Sequence, residues 1–157
     1  MGFMHINNLY KEQDVLIFKQ LFAMEKIHGT SVNLSYNEST EKVTFFSGGV
    51  SHLAFIKLFD EEFLKVKFKE LGGKSCTIFG EAYGGKMQAM SDTYGKELSF
   101  IVFDVQMYEH WLDVPKAEEI AKFFNLEFVP YELIPTTIEA IDAERDKESI
   151  VAIRRGC

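Results

Sequence analysis

"MEKIHGTS", residues 24–31, decides how this chain is read. Lys26 follows an acid and precedes Ile-His-Gly-Thr, with apolar-rich stretches on both sides. The lysine falls where a strand is expected to end, and Gly29 stands just beyond it. Glycine lets the backbone pass close to a ligand, so a strand end of this kind can present a reactive side chain. An isolated Lys-x-x-Gly also arises by chance as a surface turn. The surroundings of the string choose between these readings.

Working outward, "SVNLSYN" (31–37) alternates Val32, Leu34 and Tyr36 with polar residues, the period of a half-buried strand. "NEST" (37–40) reads as a turn and "EKVTFFS" (41–47) as a second strand, which predicts a hairpin. "SGGV" (47–50) breaks the pattern. From Asp60 to Leu71 the spacing becomes helical. Leu64, Phe68 and Leu71 share one face, Asp60 serves as N-cap, and Gly72-Gly73 ends the helix. "SCTIFGEAY" (75–83) is a strand and Gly84-Gly85 begins a loop. "ELSFIVFDVQM" (97–107) is a long strand, buried on both faces for part of its length. Pro115 opens a helix through Phe124, with Ala117, Ile120, Ala121 and Phe124 inward. "LEFVPYELI" (126–134) is extended. Thr136 to Arg145 and Ser149 to Arg155 read as helices, the last closed by Arg154-Arg155 and capped by Gly156. There is no internal repeat and no linker. Strands and helices mix without regular alternation, which predicts an α+β fold.

A chain of 157 residues suits one domain, or part of a larger one. With 46% hydrophobic and 26% charged residues it can bury an ordinary core. Its 15 phenylalanines supply rings both for that core and for stacking on a flat ligand. A net charge of −7 opposes nucleic-acid binding over the whole surface. The clusters Lys65, Lys67, Lys69 and Arg154, Arg155 read as solvated faces. Cys76 and Cys157 make no disulfide framework, and no Cys or His pair has zinc-ligand spacing. The N-terminus lacks a signal-peptide pattern, and Ile6 stands where a myristoylation signal wants Ser or Thr. No apolar run reaches membrane-spanning length. No membrane partner and a reducing, cytoplasmic setting are therefore expected.

Two further stretches bear on Lys26. "FGEAYGG" (79–85) sets Glu81 at a strand end before a glycine pair, and "FIVFD" (100–104) sets Phe103 beside Asp104. Taken singly, Glu81 reads as a strand-end carboxylate and Phe103 as a core ring. Taken in order, "EKIHGTS" (25–31), "FGEAYGG" and "YGKELSFIVFD" (94–104) resemble the ATP-dependent RNA ligases of the covalent nucleotidyltransferase superfamily. The nearest likeness is to their phage-type double-strand RNA-sealing branch. It runs from Ala23 to Asp104 at motif level and more loosely beyond.

The resemblance implies a nucleotidyltransferase fold, with mostly antiparallel sheets around a nucleotide cleft. It implies ATP and Mg²⁺ as cofactors, and RNA with 5′-phosphate and 3′-hydroxyl ends as partner. Lys26 matches the lysine that attacks the α-phosphate of ATP and becomes adenylylated. Such an amine must be neutral to react, and a lysine of ordinary pKa near 10.4 is neutral only about once in a few thousand at pH 7. Desolvation and nearby cations can change that for lysine but not for arginine. Glu25 matches a residue lying against the adenine, partly through its backbone. Ile27 and Gly29 belong to the same nucleotide-binding string, and His28 matches a histidine near the leaving phosphates or orients the turn. Glu81 matches the acid that holds the ribose and assists the metal-dependent steps. Phe103 matches the ring that stacks on the purine. No protein metal ligand is assigned.

Three departures accompany the likeness. Ser31 stands where the string often has Asn, which offers both a donor and an acceptor. "FFSGG" (45–49) replaces an arginine-bearing stretch, leaving backbone N–H groups as an anion nest. A Glu-Gly motif and a Lys-x-Lys motif, whose amines neutralise the α-phosphate in the superfamily, do not occur before Cys157. Residues 1–157 are thus expected to be the N-terminal portion of one adenylyltransferase domain, C-terminally incomplete and unable to seal RNA alone. The alternative is a non-catalytic nucleotide-binding or partner-binding remnant.

Overall fold

The computed structural model describes residues 2–85 and 91–155. Residues 86–90, the expected Gly156 cap and Cys157 lie outside the described residues. The strands are β1 Gln20–Met24, β2 Thr30–Asn37, β3 Lys42–Phe46, β4 Cys76–Gly84, β5 Leu98–Met107, β6 His110–Trp111 and β7 Tyr131–Pro135. The helices are α1 His52–Ile56, α2 Glu61–Glu70, α3 Ser91–Tyr94, α4 Val114–Phe123, α5 Ile138–Arg145 and α6 Ile150–Arg154. Two antiparallel sheets result, one of five strands in the order β3-β2-β4-β5-β6 and one of two strands, β1-β7.

The core lies on one face of the larger sheet. Val32, Leu34 and Tyr36 alternate inward from β2, as the period of two requires, and Ile78 joins them from β4. Helix α2 lays Leu64 and Phe68 on this face, and α4 adds Ala117 and Ala121. Phe68 stacks on Tyr36, with ring centroids 5.2 Å apart, and packs against Phe124 at 4.5 Å. Around α1, Phe55 meets Phe45, Phe59 and Phe100. Phe100, Ile101 and Val102 are all buried, so β5 is covered on both faces there, as its unbroken apolar run predicts.

Most of the sequence reading survives. Asp60 caps α2 by accepting from the Glu62 and Phe63 N–H groups, and Gly72 and Gly73 leave it with positive φ. Asp113, not Pro115, starts α4, its side chain accepting from Lys116 N–H at 2.9 Å. Thr137 and Ser149 are caps outside α5 and α6. The short α1 and β6 are too brief to leave a periodic signal. The solvated-face reading holds for α2, where Lys65, Lys67 and Lys69 pair with Glu62, Glu70 and Glu41. It fails for Arg155, whose part-buried guanidinium donates to Ser99 Oγ at 2.8 Å, to Tyr83 Oη and to the Tyr94 carbonyl. This arginine locks α6 against β4, β5 and α3.

"LEFVPYELI" divides. Val102 donates its N–H to Glu127 and accepts from Val129, so the first half borders the larger sheet. The second half, β7, pairs with β1. This segment therefore crosses from one sheet to the other. Residues 25–29, between β1 and β2, make a second crossing. The Glu25 N–H donates to the Pro130 carbonyl at 2.9 Å and stitches the two crossings together.

Candidate active site around Lys26

Lys26 sits on this crossing, exposed, between neighbours that are fixed. Ile27 is buried at 4% exposure, so its side chain belongs to the core and only its backbone faces the crossing. The His28 N–H donates to Tyr94 Oη at 3.4 Å, and the Gly29 N–H donates to Glu81 Oε1 at 3.0 Å. Gly29 passes so close to β4 that a Cβ there would fall 2.0 Å from the Ala82 carbonyl oxygen. Only glycine permits that approach.

Glu81 lies directly across from Ser31 and Ile101 in the register, on the sheet face opposite the helical core. Burial pushes its carboxyl above the usual glutamate range, while the Gly29 N–H and the nearby Lys26 charge pull it part of the way back. Ser31 Oγ, beside it, is buried without a hydrogen-bond partner among the described residues. Phe79, two residues before Glu81, faces the same way.

Phe103 owes its position to a bulge. β4 holds a regular register with β2 through residues 76–82, but against β5 Phe79 pairs with Asp104 and Gly80 with Val102. Phe103 is the unpaired extra residue. Bulges of this kind re-aim a side chain. The Phe103 ring joins Phe79 and Trp111 through Phe3, which packs edge-on against all three at 4.9–5.3 Å. Asp104, next in sequence, is lifted by burial to about 6, with its Val105 N–H bond opposing the shift.

Glu25 is committed elsewhere. Its carboxylate accepts from Ser149 Oγ and from the Ile150 and Val151 N–H groups, tying the crossing to the start of α6. With its N–H given to the Pro130 carbonyl, neither the side chain nor the N–H of Glu25 is left for a ligand. A cavity of about 670 Å³ opens beside it, with Glu25, Lys26 and His28 on one wall and Ile141 and Glu144 on another. Lys147 also lines it but is paired with both Glu132 and Glu144. Glu81 and Phe103 are not among its lining residues. Thus Lys26, His28 and Glu25 share one cavity, Glu81 adjoins it through Gly29, and Phe103 lies farther along the Glu81 face of the sheet.

The anion nest expected within residues 45–49 is partly spent. Gly49 N–H donates to Thr30 Oγ1 at 3.0 Å and Val50 N–H to the Ser47 carbonyl at 3.0 Å. Sequence reasoning missed Ser149 as the partner of Glu25, and missed Phe3 and Trp111. Ser149 carries a helix-cap signal, but a contact spanning 124 positions leaves no local trace.

The family model described as RNA ligase matches residues 19–154. Comparison with curated proteins finds no match. Among solved structures, a Naegleria gruberi RNA ligase with PPi superposes with a TM-score of 0.66 at 15% identity, covering 86% of this chain and 43% of that one. An archaeal ATP-dependent RNA ligase gives a TM-score of 0.66 at 19% identity, covering 90% and 40%. A variant of the Naegleria gruberi enzyme with ATP and Mn gives 0.59 at 13% identity, covering 76% and 38%. The chain therefore spans roughly two fifths of the length of these structures. At such identities the likeness establishes the fold, mixed helices with antiparallel sheets, and the match over residues 19–154 establishes the kinship: the chain belongs to the RNA ligase family.

Proposed function

We propose that residues 1–157 form the N-terminal portion of an ATP-dependent RNA ligase, of the phage-type double-strand branch, in which Lys26 carries AMP. The observation that carries this reading is the junction itself: an exposed lysine between two sheets, beside a carboxylate anchored to the same turn. In the first step the Lys26 Nζ attacks the α-phosphorus of ATP. A P–N bond forms, the α–β P–O bond breaks, and pyrophosphate leaves as the amine gives up its proton. In the second step an RNA 5′-phosphate oxygen attacks the same phosphorus and the P–N bond breaks. In the third a 3′-hydroxyl attacks the 5′-phosphorus, the strand closes and AMP departs.

Each residue has a role in this scheme. Phe103 stacks on the purine and the Glu25 backbone borders it. Glu81 accepts the ribose hydroxyls. His28 stands on the Lys26 wall, on the side of the leaving phosphates. Among the described residues no three carboxylate, histidine or cysteine side chains gather as a metal cage. A divalent ion such as Mg²⁺ would then be held by phosphate oxygens and water, with Glu81 a carboxylate that could assist it. It would neutralise charge on the transferring phosphoryl group. Among the described residues no helix is long and apolar enough to cross a membrane.

The phosphate side is the weaker half of the site. Lys147, the cation nearest in kind to what is needed, is held by two carboxylates. Phosphate neutralisation then falls to Glu-Gly and Lys-x-Lys motifs outside residues 1–157. The test is to incubate the chain with α-labelled ATP and Mg²⁺, alone and with the C-terminal part of a homologous ligase bearing those motifs. Label should stay on the denatured protein at Lys26 only with the complement present. A folded, complemented chain that takes up no label, or takes it up equally as Lys26→Arg, contradicts the proposal.

A further inference from the structure

The larger sheet supplies three rings to the face that carries Glu81: Phe79 from β4, Phe103 from β5 and Trp111 from β6. The fourth ring of the cluster, Phe3, comes from outside the sheet. Its centroid lies 4.9 Å from that of Phe103 at an interplanar angle of 89°, 5.3 Å from Phe79 and 5.2 Å from Trp111. Phe3 therefore meets the three sheet-borne rings edge-to-face from outside the sheet.

The segment that carries Phe3 is otherwise lightly held. Residues 2–13 form no strand or helix, and Met4, Ile6 and Tyr10 are 56%, 69% and 91% exposed. The hydrogen bonds of Asn7, Asn8, Lys11 and Glu12 close on one another within the segment. The Phe3 end of the segment thus rests on the Phe103 wall, while Tyr10 at the other end is turned to solvent.

We propose that residues 2–13 are a strap across the candidate nucleotide site, with Phe3 as an internal competitor for the face of Phe103. The inference rests on the reading of Phe103 as the ring that stacks on the purine. Edge-to-face ring contacts are individually weak, so such a strap is displaceable rather than permanent. It acts as a population tax: only the fraction of molecules with Phe3 withdrawn binds adenosine, and the apparent affinity falls by that fraction. Ligand arrival and strap release are then one event.

The test compares the full chain with Phe3→Ala and Phe3→Leu in AMP titrations by calorimetry, with circular dichroism confirming the fold of each. AMP is used because it carries the purine and ribose without the triphosphate. Phe3→Ala should bind about tenfold more tightly, the tax for an open fraction of roughly one in ten, and Phe3→Leu should fall between it and the parent. Trp111 is the one tryptophan of the chain and touches Phe3, so it reports release directly. Its acrylamide quenching should rise when the parent binds AMP and should already be high in Phe3→Ala. Equal or weaker binding by Phe3→Ala overturns the strap and makes Phe3 a bystander or a pocket wall, leaving the role of Phe103 intact. Failure of every folded variant to bind AMP overturns both the strap and the base-stacking role on which it rests.

Discussion

The Gly29 backbone N–H donates to Glu81 Oε1 at 3.0 Å, so the turn bearing Lys26 and the strand bearing Glu81 move as one piece. The carboxylate that would hold a ribose also fixes the turn that would deliver the nucleophile. Glu81→Gln keeps an acceptor oxygen for the Gly29 N–H, whereas Glu81→Ala removes it. Glu81→Ala should therefore lose about 1–3 kcal/mol of stability and Glu81→Gln much less. Urea denaturation of the two variants checks this. Equal losses would mean that the bond contributes nothing to the fold.

Gly29 is constrained from the other side as well. A Cβ there would stand 2.0 Å from the Ala82 carbonyl oxygen, a backbone atom of the central strand β4 that cannot swing away. Gly29→Ala should cost about 1–3 kcal/mol or more by overpacking, and should separate the turn from Glu81. A Gly29→Ala chain with parental stability would show that the crossing is loosely seated.

Asp104 predicts a pH effect of definite sign. Its carboxyl is lifted to about 6 by burial, above its unfolded value of about 3.9. Between these values the folded state holds the proton more tightly than the unfolded state. Stability contributed at this position therefore falls as pH rises through that window and is flat above it. Asp104→Asn should stabilise the chain by about 1 kcal/mol near pH 7.5, discounted for water contact, and progressively less toward about pH 4. Denaturation midpoints at the two pH values check this. A gain that grows toward acid would contradict the burial argument.

How much of this was legible in the sequence follows from the range of each signal. The β2–β3 hairpin and helices α2 and α4 announce themselves through period and caps within a dozen residues, and all three are present. The order of the three motifs identified the family, which no periodicity contains. The bulge that frees Phe103 is not legible, because β5 reads as one unbroken apolar run and the extra residue exists only relative to β4. The role of Arg155 is hidden for a similar reason: beside Arg154 it looks like a solvated charge, while its partners Tyr83, Tyr94 and Ser99 are remote in sequence. Glu25, matched to the adenine wall, proved to spend its side chain on α6.

That last pairing carries its own prediction. Ser149 caps α6 through the Ala152 N–H at 3.0 Å and donates to Glu25, so one hydroxyl serves both helix and crossing. Ser149→Ala should cost about 1 kcal/mol from the cap alone. In a double-mutant cycle with Glu25→Ala, which removes the acceptor, the losses should fall short of additive, since both changes break the same contact. Strict additivity would mean that α6 and the Lys26 crossing are mechanically independent.

The central claim is that Lys26 is a nucleophile placed against a bound adenosine phosphate. The most direct measurement uses the radiolabelled phosphorimidazolide of AMP, a pre-activated donor whose imidazole leaves without help from pyrophosphate-binding cations. It asks only whether the site binds adenosine and presents an amine to its phosphorus. Peptide mapping should place the label chiefly on Lys26, excess unlabelled AMP should suppress it, and Lys26→Arg should abolish it, because arginine offers no neutral amine. Label spread over surface lysines, indifferent to AMP and retained in Lys26→Arg, would contradict the account.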